Sequence, residues 1–195
     1  MTSEPDWTAL MGARLFERRV VLLSGELNDA LAGDIVAQLM TLDAMGDDHV
    51  TLQVNSWGGS MEAAFSVMDT IDLLGVPVHT ECVGRAEGPV TGVVAVGSRR
   101  RAAPHARFRL TPPRFEARGT AMELAEWSLH CQRQLDRWCD RLAEATGQAA
   151  TRVAGDLDAG RYLSASEALR YGLVDEVGQR RGQPARPPLG FRPPP

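Results

Sequence analysis

Apolar and polar residues follow a repeated order along the first half of the chain. Residues 19–25 form a compact apolar run that ends in a turn signal, which predicts a buried strand. Over residues 29–44 the apolar positions recur at helical spacing, so this segment predicts a helix. Residues 50–55 then alternate as a strand, and residues 61–74 return to the helical pattern. The order of strand, turn and helix therefore occurs twice.

A third strand is predicted over residues 76–83, and the stretch from Cys82 to Gly97 carries it through a turn into a short buried helix. Pro89 suits the first position of that helix, where the N–H that proline lacks would be unpaired anyway. Residues 107–110 predict a further strand. Repeated units of strand, glycine turn and helix predict an α/β fold with its sites at the ends of strands.

Two capping boxes mark helices in the second half of the chain. Thr120 with Glu123 opens the longest helix, which ends near residue 147, and Ser164 with Glu167 opens a short one. The long helix carries an apolar stripe at spacings of three and four residues, which must be buried against another surface. The stripe consists of Leu124, Trp127, Cys131, Leu135, Trp138, Leu142 and Ala145.

The composition divides the chain into three parts. Residues 1–13 are polar and mixed and predict a short N-terminal arm. The repeated elements, up to a last strand at residues 173–177, predict one domain over residues 14–178. Residues 179–195 are rich in Arg, Gly and Pro, which predicts an extended tail. A chain of 195 residues with 44% hydrophobic content is long enough to bury one sizeable core.

The charge pattern narrows the range of partners. The net charge of −4 does not favour a nucleic-acid partner, and we expect the run Arg99–Arg101 to be a solvated turn. No apolar window is long enough for a membrane span, and the N-terminal residues lack the pattern of a signal peptide. We therefore predict a cytoplasmic protein without membrane contacts.

The residue types exclude several kinds of chemistry. The chain contains no lysine, which rules out Schiff-base chemistry, a Walker lysine and a serine–lysine dyad. Cys131 and Cys139 lie on one predicted helix about 12 Å apart along its axis, too far to form a disulfide. Cys82 has no close partner in sequence, and no spacing typical of metal ligands occurs. We predict no metal and no cofactor.

Several segments together resemble the proteolytic subunit of the Clp protease, the ClpP family within the crotonase-like superfamily. The segments occur in the family's order and spacing over roughly residues 14–177. They are residues 19–25 with 35–39, 54–60, 82–86, 146–148 and 162–175. The resemblance implies a spiral of β-β-α units with a protruding long helix, the handle, at about residues 120–146.

The family is a serine peptidase with a Ser-His-Asp triad, and the resemblance places each triad position separately. The serine position falls on Gly88, the histidine position on Thr111 and the aspartate position on Gly160. Glycine offers no nucleophile, and threonine cannot act as the general base that activates one. The resemblance therefore implies a catalytically inactive member of a peptidase family, a pseudoenzyme.

The oxyanion hole is also altered. The resemblance places its donors in the turn at Gly58 and Gly59 and at Pro89, the residue after the serine position. Proline has no N–H to donate. Loss of a single oxyanion donor costs about 2.7–4 kcal/mol of transition-state stabilisation.

Two alternative functions remain open. One is an ATP-dependent Clp-type serine peptidase with relocated catalytic residues. Its candidates, none at the family's spacing, are His105, His130, Asp158, Ser56 and Ser60. The other is a crotonase-like acyl-CoA binder that uses the glycine turns, although the lack of lysine and of a second oxyanion donor weakens this hypothesis.

Family members form rings of seven subunits, and two rings face each other through the handle. The resemblance implies that Trp127, Cys131, Leu135 and Trp138 form the contact between rings. The rings would contain this chain alone or include an active paralogue. Alternatively, the stripe packs only within its own chain.

The tail contains the tripeptide Leu189, Gly190 and Phe191. It resembles the loop by which Clp ATPases dock into pockets between ring subunits. We predict either that the tail occupies such a pocket on a neighbouring ring or that it has no role in assembly. Together these features predict a structural or regulatory subunit of a Clp protease assembly.

Overall fold

The computed structural model describes residues 7–113, 115 and 117–178, with side chains from residue 12 onward. The helices in this part are α1 (Trp7–Glu17), α2 (Asp29–Met45), α3 (Met61–Leu73), α4 (Val90–Ala95), α5 (Ala121–Thr146), α6 (Ala150–Asp158) and α7 (Ala165–Tyr171). The strands are β1 (Val20–Ser24), β2 (Val50–Ser56), β3 (Val78–Glu87), β4 (Arg99–Ala102), β5 (Arg107–Arg109), β6 (Tyr162–Ser164) and β7 (Glu176–Val177). The predicted α/β class is confirmed.

The strands form a single sheet that forks at β3. The main path has the order β1-β2-β3-β4-β7, and all neighbours along it are parallel. The first half of β3 pairs with β4, whereas its last residues pair with β5, which in turn pairs with β6 in the antiparallel direction. The fork brings the carboxyl ends of β2, β3 and β5 side by side.

Alternation along the strands buries one side of the sheet. In β2, Val50, Leu52 and Val54 are fully buried, and the residues between them are partly exposed. The inward side chains join one hydrophobic core with Ile35 of α2 and Val67 of α3. The predicted strands and helices of the first half of the chain are therefore confirmed.

Both predicted capping boxes are present. The Thr120 side chain accepts a hydrogen bond from the Glu123 N–H, and the Glu123 carboxylate accepts from the Thr120 N–H. The same reciprocal pair links Ser164 and Glu167 at the start of α7. Each box satisfies two N–H groups that the first turn of a helix leaves unpaired.

The run Arg99–Arg101 is not a solvated turn, as its charge led us to expect, but most of strand β4. Its middle residue, Arg100, is anchored between elements. The Arg100 guanidinium donates to the carbonyl oxygens of Ala145 (2.7 Å) and Gly172 (2.9 Å) and pairs with the Asp175 carboxylate. The hydrogen bonds that Arg100 donates to the Asp175 carboxylate hold the pKa of this carboxyl below its usual range. A cationic run is accommodated in the sheet because its middle side chain has enough acceptors.

Other differences concern the ends and small elements. Helix α1 (Trp7–Glu17) crosses the expected boundary between arm and domain at residue 14. Helix α6 and strand β6 are present in addition to the predicted elements. The predicted docking tail lies outside the described residues. Among the described residues, no helix combines the length and apolar character that a membrane crossing requires.

The apolar stripe of α5 is buried over only part of its length. All residues from 121 to 130 are exposed, including stripe member Trp127. From Cys131 onward the stripe packs against the rest of the chain, and Trp138 and Leu142 are each 1% exposed. The Arg141 guanidinium also holds α5 to α3, with 2.6 and 2.7 Å contacts to the Asp72 carboxylate. The first ten residues of α5 therefore extend about 15 Å along the helix axis without cover from their own chain.

Candidate functional site

The turn between β3 and α4 is fixed by hydrogen bonds on both sides. The Gly88 N–H donates to the Arg109 carbonyl (2.9 Å), and the Gly88 carbonyl accepts from the N–H (3.0 Å) and the hydroxyl (2.7 Å) of Thr91. Gly88 has a φ of +54°, a conformation that favours glycine. Pro89 precedes α4 and is not its first helical residue. The predicted sequence of strand, turn and helix is confirmed, with this shift of one residue.

The turn brings two of the predicted triad positions together. A Cβ atom placed on Gly88 would lie 3.4 Å from the Thr111 carbonyl oxygen and 3.7 Å from Thr111 Cγ2. A Cβ atom on Gly160 would lie 3.6 Å from an Arg109 guanidinium nitrogen. The space beside Gly160 therefore adjoins the guanidinium of Arg109, which lies on β5 two residues before Thr111.

The turn at Gly58 and Gly59 forms the opposite wall. The Leu27 N–H donates to the Gly58 carbonyl (2.8 Å), and the Leu27 carbonyl accepts from the Ser60 N–H (2.9 Å). A Cβ atom on Gly59 would lie 2.0 Å from the Leu27 carbonyl oxygen, so no other residue fits there. The Gly58 N–H already donates to the Ser56 hydroxyl (3.2 Å). With that N–H engaged and no N–H on Pro89, only Gly59 of the three predicted positions keeps an N–H without an acceptor among the described residues, so the hole lacks its second donor.

These walls enclose a cavity of about 520 Å³. Its lining among the described residues comprises Glu26, Trp57, Gly58, Gly59, Ser60, Glu87, Gly88, Pro89, Arg109, Thr111, Pro112 and Pro113. Of the residues predicted for the triad and oxyanion hole, only Gly160 is outside this lining. The structure therefore places these predicted positions at one site, at the carboxyl ends of the strands.

The cavity contains few groups that could perform acid–base or nucleophilic chemistry. Its side-chain hydroxyls are those of Ser60 and Thr111. The Ser60 hydroxyl caps α3 by accepting from the Ala63 N–H (3.0 Å). Its charged side chains are those of the exposed Glu26 and of the half-buried Glu87 and Arg109. We find no pair of nucleophile and base within the described lining.

All four histidines of the chain lie elsewhere. The rings of His49 and His79 stack at 4.2 Å and line a second cavity of about 210 Å³. Burial, followed by the charges of His49 and Arg99, lowers the pKa of His79. His105 is exposed in a turn, and His130 stacks on Trp127 at 5.3 Å. The predicted candidates for a relocated base therefore lie outside the first cavity.

The cysteines are buried and unpaired. Burial raises the pKa of the Cys82 thiol to about 12 and that of Cys139 to about 11. It also raises the pKa of the Cys131 thiol. Since a thiolate is the reactive form of cysteine, these side chains are poor nucleophiles near neutral pH. Among the described residues, no group of three or more His, Cys, Asp and Glu side chains is arranged to hold a metal ion.

Arg109 is one of the cavity residues that the sequence did not predict. Its guanidinium carbon lies 4.8 Å from the centre of the Tyr162 ring, and its Nε is buried without a hydrogen-bond partner among the described residues. A signal was present in the sequence. Arg109 stands between two apolar residues of a predicted strand and two residues before Thr111, so alternation places both on the same face.

The residues predicted to form a contact between rings are only partly available. Trp127 is 37% exposed, and Leu135 is half-buried. Cys131 is buried, and Trp138 is buried with its indole N–H directed at the Pro89 carbonyl (3.3 Å). Trp138 therefore belongs to the intramolecular core, because a side chain covered by its own chain has no area left for a partner.

The fold and the cavity can be compared with what is known of protein families. The sequence model of the Clp protease family matches residues 3–181. The match includes the turn at Gly58 and Gly59, the turn at Gly88 and the whole of α5. It covers nearly the full length of the chain, and the chain therefore belongs to the Clp protease family.

Proposed function

We propose that this protein is a non-catalytic ClpP-like subunit, a structural or regulatory partner in a Clp protease assembly. The observation that carries the proposal is the composition of the first cavity. The positions that the family resemblance assigns to serine and histidine meet there, and they are Gly88 and Thr111.

The energetics support the same proposal. Without a nucleophile no acyl-enzyme forms, and without a base no water or hydroxyl is activated. The absent N–H at Pro89 would cost about a further 2.7–4 kcal/mol of transition-state stabilisation. Restoring a serine at Gly88 alone would therefore leave two further deficits uncorrected.

The main alternative is a peptidase with relocated catalytic residues, for which Ser60 is the candidate nucleophile. Its hydroxyl lines the cavity, but it caps α3 and has no histidine beside it in the described lining. Ser56, another predicted candidate, is fully buried and bonded to Gly58. We therefore prefer the non-catalytic function.

A direct test uses a fluorogenic peptide and a fluorophosphonate probe, with an active family member as the positive control. We expect no hydrolysis above background and no labelling of any serine. The Ser60→Ala variant is measured in parallel. Hydrolysis or labelling that disappears in this variant would establish the relocated peptidase instead.

Family membership supports oligomeric assembly in general, and we propose heptameric rings that stack through α5. The support comes from the exposed first half of this helix, which carries large apolar side chains. These are Met122, Leu124, Trp127 and Leu129. Such residues are more stable when a partner covers them than when they contact water. The rings would contain this chain alone or include an active paralogue. A cytoplasmic location remains a prediction.

Mass measurement of the intact protein, alone and mixed with an active paralogue, tests this arrangement. We expect Trp127→Glu to reduce double rings to single rings or subunits. Gln132→Glu introduces the same charge nearby on α5 and is the matched control. Equal masses for wild type and Trp127→Glu would argue against a role of the handle in assembly.

For the C-terminal tripeptide we propose docking into a pocket between subunits of a neighbouring ring. Deletion of residues 186–195 should then increase binding of a Clp ATPase or weaken the contact with that ring. Unchanged assembly and unchanged ATPase binding would show that the tail has no such role.

A further inference from the structure

Arg109 presents an unused cation to the first cavity. The only hydrogen bonds found for this residue among the described residues involve its backbone, and no carboxylate oxygen in that part of the chain lies within ion-pair distance of its guanidinium. Its Nε is buried and has no hydrogen-bond partner among the described residues. A buried donor on a charged group without an acceptor is costly, and an anion at the terminal nitrogens of the same guanidinium would offset part of that cost through its charge.

The guanidinium is held in place for such a ligand. It lies over the Tyr162 ring, with 4.8 Å between the guanidinium carbon and the ring centre. This contact restrains the plane of the group while its N–H edge remains available. Gly160 adds space beside it, because a Cβ atom there would lie 3.6 Å from an Arg109 nitrogen.

The other charges of the cavity limit the kind of anion. Glu87 has Arg85 as a neighbour, at 3.9 Å, whereas Glu26 is exposed at the cavity. Two carboxylates therefore share the cavity with one guanidinium, which disfavours a ligand with several negative charges such as a phosphate or a dicarboxylate. A single carboxylate matches the planar fork of the arginine. Apolar contact is offered by Trp57, which is 51% exposed, and by the proline side chains of the lining.

We propose that Arg109 makes this cavity a binding site for the free carboxylate end of a short peptide. This inference rests on the proposed function, since a peptide with a new carboxylate end is what an active partner subunit releases. The carboxylate would accept from the terminal nitrogens of the Arg109 guanidinium, because Nε itself is buried, and the remainder of the peptide would lie along the apolar lining. The volume of about 520 Å³ suits a few residues.

The test is isothermal titration calorimetry with an N-acetylated alanine pentapeptide that ends either in a free carboxylate or in an amide. We expect the acid to bind wild-type protein at least about tenfold more tightly than the amide, because a charge-assisted bidentate bond is lost in the amide. Arg109→Gln should remove this preference.

Arg107→Gln is the matched control. Arg107 is exposed on the same strand, two residues earlier, and does not line the cavity, so its loss should leave the preference intact. Arg109→Lys keeps the charge without the fork and should retain only a small part of the preference. If circular dichroism shows that Arg109→Gln does not fold, Arg109→Lys provides the comparison with the wild type.

Equal binding of acid and amide, absence of binding, or the same loss in Arg107→Gln as in Arg109→Gln would each overturn the inference. These outcomes are independent of the proposed function. Hydrolysis of a fluorogenic peptide would contradict the non-catalytic function without changing the acid preference, and equal binding without hydrolysis would contradict only the inference.

Discussion

The two halves of α5 carry one continuous apolar stripe, but only the second half is packed against its own chain. Trp127 and Trp138 occupy the same stripe, and their exposed fractions are 37% and 1%. The spacing of apolar residues identifies the face of a helix that is buried. It does not identify whether the covering surface belongs to the same chain or to a partner.

The largest expected effect is a difference in folding stability between variants of the two tryptophans. Trp138→Ala should lower the free energy of unfolding by about 3–5 kcal/mol, because it removes a fully buried ring and leaves a cavity. Trp127→Ala should change it by less than about 0.5 kcal/mol in the isolated subunit. Urea denaturation at a concentration that favours single subunits measures both. Equal losses would mean that the first half of α5 also packs within the chain.

A smaller loss of stability is expected when a methyl group is added at the place where the second half of α5 packs. A Cβ atom on Gly92 would lie 2.7 Å from Trp138 Nε1 and 3.0 Å from Met68 Sδ. Gly92→Ala should therefore cost about 1–3 kcal/mol by overpacking. Gly155→Ala in α6 is the control, since a Cβ atom there meets nothing within 4 Å and should stabilise the helix. A melting temperature that is unchanged in Gly92→Ala would show that Trp138 moves aside freely.

The N-terminal cap of α5 is expected to stabilise only the exposed first half of that helix. Thr120→Ala should cost about 1 kcal/mol of helix stability, because the first turn of α5 loses its side-chain acceptor. Since residues 121–130 lack tertiary cover, the effect should appear as faster amide hydrogen exchange in the first turn. Ser164→Ala removes the same cap from α7, whose Ala165, Ala168 and Tyr171 are buried, and should lower global stability. A global loss in Thr120→Ala would contradict this distinction.

The smallest effect concerns pH. Hydrogen bonds from the backbone and side chain of Thr120 hold the pKa of the Glu123 carboxyl below its usual value. The contribution of this cap is therefore fully present above the ordinary glutamate pKa of about 4.3 and is lost as the pH falls through the lower pKa of the folded state. An NMR titration of the Thr120 amide should show a midpoint below that value, and Glu123→Gln should abolish it. A midpoint at or above the ordinary value would indicate that the cap is open in solution.

The sequence predicted the elements whose pattern is local. Alternation identified β2, and helical spacing with a reciprocal cap identified α5 and α7, because these signals depend only on neighbouring residues. Helix α6 was missed because only Val153 and Leu157 of its residues are buried, too few to define a period. Short elements that rest on packing leave a weak pattern.

The contacts that the sequence pattern did not reveal join residues that lie far apart along the chain. Three acceptors of the Arg100 guanidinium, in Ala145, Gly172 and Asp175, lie 45 to 75 residues away along the chain. A run of arginines therefore looked like a solvated turn. Arg109 was missed for a related reason, because its importance comes from the cavity beside Gly160 and not from its neighbours in sequence.

The hydrogen bond from Trp138 to the Pro89 carbonyl joins the long helix to the wall of the cavity. Trp127 and Trp138 are eleven residues apart, so about 16 Å of rigid helix separates the exposed end from this bond. Because the indole N–H is fixed to a carbonyl of the cavity wall, a shift of the packed half of α5 would displace Pro89 and so change the shape of the cavity.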